Sequence, residues 1–324
     1  MMLLSLVVGF MLLFAGGEMV VRGAVALARR FEVSPMVIGL TIVGFGTSLP
    51  ELLVSVNAAL TGAPGIAVGN VIGSNLANMM LILGVAALVF PLAVNPGAVR
   101  RDSLFMAAFT AIFIIVALGG SADRYEGALM LAALVGYVVL SLWQDARVSN
   151  GASQLHREEA DSMTGLPTRL WLMVLFVVGG LLSVVVGADH LVGGATALAR
   201  DAGVPDEVIG LTLVAVGTSL PEVATAIVAA YRRHADICIG NVIGSNIFNL
   251  FGILGITALA APVPFSDKIV GFDLWVLGAM TLLLVPLLLT GWRLGRRDAL
   301  LLLALYCVYI LSQFQELNDL TAPV

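Results

Sequence analysis

Apolar residues occupy long runs along this chain, and short polar stretches separate them. Runs of about 20 apolar residues match the length that an α-helix needs to cross the hydrocarbon core of a bilayer. The pattern predicts an all-α polytopic membrane protein with ten transmembrane helices. The approximate bounds are 3–28, 36–60, 66–90, 104–118, 127–143, 170–199, 208–231, 237–261, 272–289 and 299–314.

One hexapeptide, Gly-Thr-Ser-Leu-Pro-Glu, occurs twice within apolar stretches, at residues 46–51 and 217–222. An acidic side chain at the centre of a membrane helix costs about 2.5–3.5 kcal/mol on insertion scales, so two identical copies indicate a function. Pro50 and Pro221 lack an N–H and break their helices, which frees carbonyl oxygens. Carbonyl, hydroxyl and carboxylate oxygens together are ligands for a small hard cation.

The two hexapeptides belong to a longer internal repeat. An offset of 171 residues maps Gly16–Gly84 onto the second half without a gap, and the match fades after Gly84. Each copy contains five predicted spans, an odd number, so the second copy enters the membrane from the opposite side. We therefore expect two inverted five-helix repeats, at 1–143 and 169–324. Their most similar parts are 39–84 and 210–255, and a cytoplasmic linker at 144–168 joins them.

A second repeated block, Gly-Asn-Val-Ile-Gly-Ser-Asn, occupies residues 69–75 and 240–246. Residues four apart share one face of a helix, which pairs Ser74 with Asn78 and Ser245 with Asn249. The same spacing pairs each threonine of the hexapeptides with its glutamate. We expect these four polar faces to converge near the middle of the membrane, between the two halves.

The paired blocks resemble the two α-repeats of the sodium/calcium exchanger family, of the bacterial or archaeal type, within the calcium/cation antiporter superfamily. The resemblance implies a 5+5 inverted-repeat fold that exchanges Na⁺ for Ca²⁺ by alternating access. It also implies ten ion-binding residues: Glu51, Glu222, Thr47, Thr218, Ser48, Ser219, Ser74, Ser245, Asn78 and Asn249.

The resemblance gives each residue type a role. The glutamates would bind both ions, and the threonines would offer backbone carbonyls to Ca²⁺. The serines would flank sodium sites, and the asparagines would close the centre. Many family members carry Asp where this chain has Asn249, so this pocket has two formal carboxylates and an open ion stoichiometry.

Several alternatives remain open for individual residues. The four serines also fit a role in helix packing. Asn75 and Asn246 fit ties between helices better than ion ligands. Glu18 and Asp189, which match each other in the repeat, could line an ion path or form ion pairs.

Alternatives also remain for the function. A proton/calcium exchanger or a potassium-dependent exchanger of the same superfamily is the nearest one. A cation channel is disfavoured, because inverted repeats with broken helices suit alternating access, whereas a channel needs a continuous filter.

Composition and motifs exclude other classes. Apolar residues make up 60% of the chain and charged residues 11%, far from the average of soluble domains. The sequence has no nucleotide-binding loop, Cys/His cluster or hydrolytic triad, so we expect no enzyme activity and no cofactor. The expected partners are Ca²⁺ and Na⁺ as substrates and the lipid bilayer, with no nucleic acid and no obligatory protein partner.

The basic residues predict the orientation. Of the 16 in the chain, 13 lie near the loops after odd-numbered spans, and only Arg124, Arg200 and Lys268 lie on the other side. By the positive-inside rule, the loops after odd-numbered spans are cytoplasmic and both termini are outside. The expected location is the inner membrane of a prokaryote.

This orientation can be tested with reporter fusions at Val324 and near Gly151. We expect the first to report an extracytoplasmic position and the second a cytoplasmic one, because the arginine bias fixes the loops. Two fusions that report the same side would contradict the predicted topology.

Overall fold

The structure is a computed structural model that describes residues 2–93, 96–161, 166–201 and 217–321. Within these ranges, side chains are described everywhere except at 146–161, 200 and 314–321. The described residues form helices in chain order. They are α1 (Met2–Phe31), α2 (Pro35–Thr47), α3 (Leu49–Leu60), α4 (Pro64–Val89), α5 (Pro96–Leu118), α6 (Arg124–Asp161), α7 (Leu170–Asp201), α8 (Leu220–Tyr231), α9 (Ala235–Ala260), α10 (Ile269–Leu289) and α11 (Arg296–Thr321).

Within the described residues, seven helices are long and apolar enough to cross a membrane: α1, α4, α5, α6, α7, α9 and α10. The pair α2 and α3, bent by 44°, would make an eighth span. The described residues therefore do not confirm the expected count of ten. Helix α8 is shorter than a span, and the start of the predicted seventh span, 208–216, lies outside the described residues.

Two boundaries differ most from the sequence-based expectation. Helix α5 begins at Pro96, so the fourth predicted span is longer than 104–118. Helix α6 continues to Asp161, so the first part of the linker predicted at 144–168 is helical. The helix continues beyond the apolar run, which ends at Trp143, into residues 144–161, which are mostly polar.

Helices α4 and α9 lie at the centre of the molecule. In their apolar windows 78% and 89% of the residues are buried, against 28% in α6 and in α7. Helices α1 and α7 pack against each other through glycines: a Cβ on Gly16 would lie 2.8 Å from the carbonyl oxygen of Gly180. Small residues at such contacts let two membrane helices approach closely.

Two short antiparallel ladders, which the hydrophobic pattern did not predict, join loops of the two halves. Strand β1 (Leu92–Ala93) pairs with β4 (Arg293–Leu294), and β2 (Ser121–Ala122) pairs with β3 (Val263–Pro264). Each strand follows the end of a helix, so each ladder connects two helix ends on one side of the bundle.

The internal repeat continues past Gly84, where the sequence comparison lost it. The Tyr137 hydroxyl donates to Asp102 Oδ1 at 3.2 Å, and the Tyr309 hydroxyl donates to Asp273 Oδ1 at the same distance. Asp273 follows Asp102 by 171 residues, but Tyr309 follows Tyr137 by 172. One extra residue between these positions breaks the register and hides the match.

Removing either tyrosine hydroxyl should destabilise the protein. We expect Tyr137→Phe and Tyr309→Phe each to lower stability by about 1–3 kcal/mol, because a largely buried carboxylate loses a hydrogen-bond donor. Thermal unfolding in detergent measures the effect. Tyr125→Phe is the control, since Tyr125 is 70% exposed. Equal unfolding temperatures for all three variants would contradict this account.

Candidate ion-binding site

The two copies of the hexapeptide bind each other across the molecule. Ser48 Oγ donates to Glu222 Oε1 at 3.1 Å, and Ser219 Oγ donates to Glu51 Oε1 at 3.4 Å. The two glutamates are 1% and 2% exposed. Each carboxylate is therefore held by a hydroxyl from the other half, and the structure brings these four predicted site residues together.

The broken helices explain this placement. Helices α2 and α3 meet at Ser48, which leaves the helical conformation at φ −84° and ψ 8°, and Ser219 adopts nearly the same angles before α8. Pro50 has no N–H, so the carbonyl of Gly46 lacks its helical donor. The bend places Glu51 in the first turn of α3, with its side chain inside the molecule.

Helices α4 and α9 supply the other side of the site. Asn78 lies in a π-helical segment, Ala77–Ile82, and Asn249 lies in the matching segment, Phe248–Ile253. Such segments occur frequently at functional sites, because the extra residue per turn redirects side chains. Ser74 and Ser245 are buried one turn before each asparagine.

The contacts of these residues cross between the halves. Ser245 Oγ donates to the carbonyl oxygen of Gly44 at 3.1 Å, and Asn78 Nδ2 donates to Asn246 Oδ1 at 3.4 Å. Asn246 thus ties α9 to α4, as expected. For its repeat partner Asn75, neither side-chain polar atom has a hydrogen-bond partner among the described residues.

Four buried oxygens of the site have no hydrogen-bond donor in the part of the chain that the structure describes. They are Oε2 of Glu51, Oε2 of Glu222, Oδ1 of Asn78 and Oδ1 of Asn249. A buried acceptor without a partner costs about 1–3 kcal/mol, more when it is charged. Two carboxylate and two amide oxygens, paired by the repeat, form a set that a cation would satisfy.

The two threonines lie at the helix breaks. Thr47 is fully buried, and its Oγ1 lies 3.3 Å from both the Gly44 carbonyl oxygen and Asn241 Oδ1. Thr218 is partly buried next to Ser219. The expectation that their backbone carbonyls bind Ca²⁺ stays a prediction.

The first asparagine in each Gly-Asn-Val-Ile-Gly-Ser-Asn block has a role that the sequence pattern did not predict. Asn70 Nδ2 donates to the backbone oxygen of Glu51 at 3.2 Å and to Ser55 Oγ at 3.0 Å. Asn241 Nδ2 donates to Thr225 Oγ1 at 3.2 Å. Both asparagines therefore fix the helix that carries a site glutamate, and their occurrence at equivalent repeat positions was the available signal.

The comparison with protein families gives one match. A model described as sodium/calcium exchanger protein matches residues 1–143 and 171–315. Among curated relatives, the sodium/calcium exchanger MaX1 of Methanosarcina acetivorans is 33% identical, over 96% of this chain and 98% of the relative. The putative antiporter CaxA of Alkalimonas amylolytica is 37% identical, over 89% of each chain.

A solved structure is also similar over nearly the whole chain. The sodium-calcium exchanger NCX_Mj, soaked with zero Na⁺ and Ca²⁺, superposes with a TM-score of 0.83 at 33% identity. The match covers 96% of this chain and 98% of that structure.

The close contact between α2 and α9 predicts that Gly244 does not tolerate a larger residue. A Cβ on Gly244 would lie 2.0 Å from the carbonyl oxygen of Leu40, closer than real Cβ contacts. We expect Gly244→Ala to cost about 3 kcal/mol or more, because the overpacked backbone must move. The yield and thermal stability of the folded protein measure this.

Gly136→Ala is the matched control, since no described atom lies within 4 Å of a Cβ there. We expect this control to be as stable as the parent or slightly more stable. Equal behaviour of the two variants would refute the close contact.

Proposed function

The chain belongs to the sodium/calcium exchanger protein family, and we propose that it is a secondary active antiporter that exchanges Na⁺ for Ca²⁺ across a membrane. The observation that carries the proposal is the pair of buried carboxylates, Glu51 and Glu222, each with one oxygen lacking a hydrogen-bond donor among the described residues. Their two formal negative charges match one Ca²⁺. Binding at a single site between two inverted halves suits alternating access.

We assign the binding of both ions to the ten residues singled out by the sequence. The unpaired oxygens of Glu51, Glu222, Asn78 and Asn249 are the first candidates for ligands. The four serines and the backbone carbonyls of Thr47 and Thr218 complete the proposed set. The ions are substrates, and no cofactor or enzymatic step is part of the proposal.

We also propose that the helices form ten spans in two inverted repeats, 1–143 and 169–324, connected through 144–168. The two ladders support this arrangement. With ten spans, β1 and β4 follow the third and ninth spans, and β2 and β3 follow the fourth and eighth, so each pair lies on one side of the membrane. Helix α11 would be the tenth span, and α8 would form the last part of the seventh span.

The proposed location is the inner membrane of a prokaryote, with both termini outside. The arginine distribution supports this orientation. The β1–β4 ladder, which contains Arg293 next to Arg296, would then lie at the cytoplasmic face, and the β2–β3 ladder at the outer face.

Na⁺ is the proposed counter-ion because the site is rich in neutral oxygens. Besides the two acids, the proposed set contains six hydroxyl and amide side chains: Ser48, Ser74, Ser219, Ser245, Asn78 and Asn249. A proton needs only a carboxylate, whereas Na⁺ needs several oxygens in place of its water. Proton/calcium exchange and potassium-dependent exchange remain the alternatives within the superfamily.

Neutralising either carboxylate should abolish transport. We expect Glu51→Gln or Glu222→Gln to remove Ca²⁺ exchange, because a divalent ion needs anionic oxygen, while the protein still inserts. Counter-ion-dependent Ca²⁺ flux into proteoliposomes is the measurement. Glu126→Gln, in the first turn of α6, is the control and should exchange normally. Near-normal exchange by either site variant would rule out this assignment.

The counter-ion is tested with proteoliposomes loaded with Na⁺ at fixed pH or with acid in the absence of Na⁺. We expect the outward Na⁺ gradient to drive Ca²⁺ uptake and the outward proton gradient to have no effect. The reverse result would establish the proton/calcium alternative. Uptake that needs no counter-ion would instead indicate a channel.

A further inference from the structure

An ion-pair cluster connects α1 to the end of α8. Glu18, on α1, accepts from Arg232 Nε at 2.8 Å and from Arg22 Nε at 2.6 Å. Arg232 directly follows α8, the helix whose first turn carries Glu222. The Glu18 side chain is only 17% exposed, so water screens these charges less than on an open surface.

The backbone of α1 lies directly on α8 beside this cluster. A Cβ on Gly17 would lie 3.0 Å from Val228 Cγ2 and 3.2 Å from the carbonyl oxygen of Ala224. Val228 is 1% exposed as a result. The ion pair and the glycine contact together close this side of the bundle over α8.

The second half does not repeat the ion-pair cluster. Asp189 on α7 matches Glu18, but it is exposed, and the positions that match Arg22 and Arg232 are Gly193 and Thr61. Because glycine and threonine replace the two arginines, Asp189 cannot form the two ion pairs that Glu18 forms with Arg22 and Arg232.

The matching helix face is also more open. On α3, Leu53 matches Ala224 and is 71% exposed, while Asn57 matches the buried Val228 and is exposed. Among the residues that the structure describes, the contact between α1 and α8 thus has no equally closed counterpart between α7 and α3.

We propose that Glu18 and Arg232 are positioning residues that hold α1 against α8 and favour the state closed on the cytoplasmic side. The proposal rests on the proposed antiport and on the proposed orientation, which puts Arg232 at the cytoplasmic face. An inverted-repeat transporter reaches its other state when the two halves exchange conformations. Opening then breaks the Glu18–Arg232 pair, and the contact formed in its place, between α7 and α3, contains no such pair.

This bias has a measurable consequence for Ca²⁺ binding on the two sides. The apparent dissociation constant equals the intrinsic constant divided by the fraction of molecules in the competent state. Breaking the ion pair increases the cytoplasm-open fraction and decreases the outward-open fraction. Ca²⁺ should therefore bind with higher apparent affinity from the cytoplasmic side, with no gain from the outside.

The first experiment measures opening without transport. Val228→Cys is introduced into a full-length background with Cys238→Ala and Cys307→Ser, and a membrane-impermeant maleimide is added to inside-out vesicles. We expect Glu18→Gln to raise the labelling rate about two- to fivefold, the range for loss of a partly exposed ion pair. Arg232→Lys keeps the charge, so its labelling rate should lie between those of Glu18→Gln and the parent.

Asp189→Asn is the matched control, because it removes the equivalent charge from α7 without breaking the Glu18 cluster. It should leave the labelling rate unchanged. Equal increases for Glu18→Gln and Asp189→Asn, or no increase for Glu18→Gln, would overturn the proposal.

The second experiment compares half-saturating Ca²⁺ at the two faces of vesicles of known orientation. We expect Glu18→Gln to lower the cytoplasmic value about two- to fivefold, while the external value stays constant or rises. A fall in the maximal transport rate, with the half-saturating Ca²⁺ concentration unchanged at both faces, would indicate simple loss of folded protein. It would refute the positioning role. Absence of Ca²⁺ exchange in the parent protein would refute the proposed function, while the labelling result would still decide on the ion pair.

Discussion

The structure depends on the burial of two carboxylates in an apolar interior. Glu51 and Glu222 are nearly inaccessible, and each accepts a hydrogen bond from a serine of the other half. Each half supplies the hydroxyl that the glutamate of the other half accepts, so this pair of contacts requires both halves. The breaks at Ser48 and Ser219 follow from the same constraint, because they turn both acids toward the shared centre.

Close backbone contact then fixes the dimensions of the site. Gly240 and Gly244 bring α9 against the carbonyls of Met36 and Leu40 on α2, where any side chain would collide. Ser245, next to Gly244, donates to the Gly44 carbonyl, which adds a further hydrogen bond between the two halves. Gly240 and Gly244 therefore position α9 beside the broken helix α2, although they offer no side-chain ligand.

The sequence was sufficient for the family, the broken helices and the pairing of two glutamates at the centre, because these depend on local motifs that occur twice. It could not predict the two ladders or the pairing of Asp102 with Tyr137, because those contacts join segments far apart in the chain. One extra residue hid the later part of the repeat. The π-helical segments were missed because a change from 3.6 residues per turn leaves no trace in an apolar pattern.

The site residues themselves cannot decide which side of the membrane is open. Glutamate, serine and asparagine occupy identical positions in both halves, so the proposed exchange of conformations would leave the proposed ligand set unchanged. Any preference between the two states must come from residues that differ between the halves. The ion pairs of Glu18 are one such difference. Another is the buried Val228, whose repeat equivalent Asn57 is exposed. A gap of a few kcal/mol suffices to make one state dominant, so modest contacts outside a symmetric site can set its resting orientation.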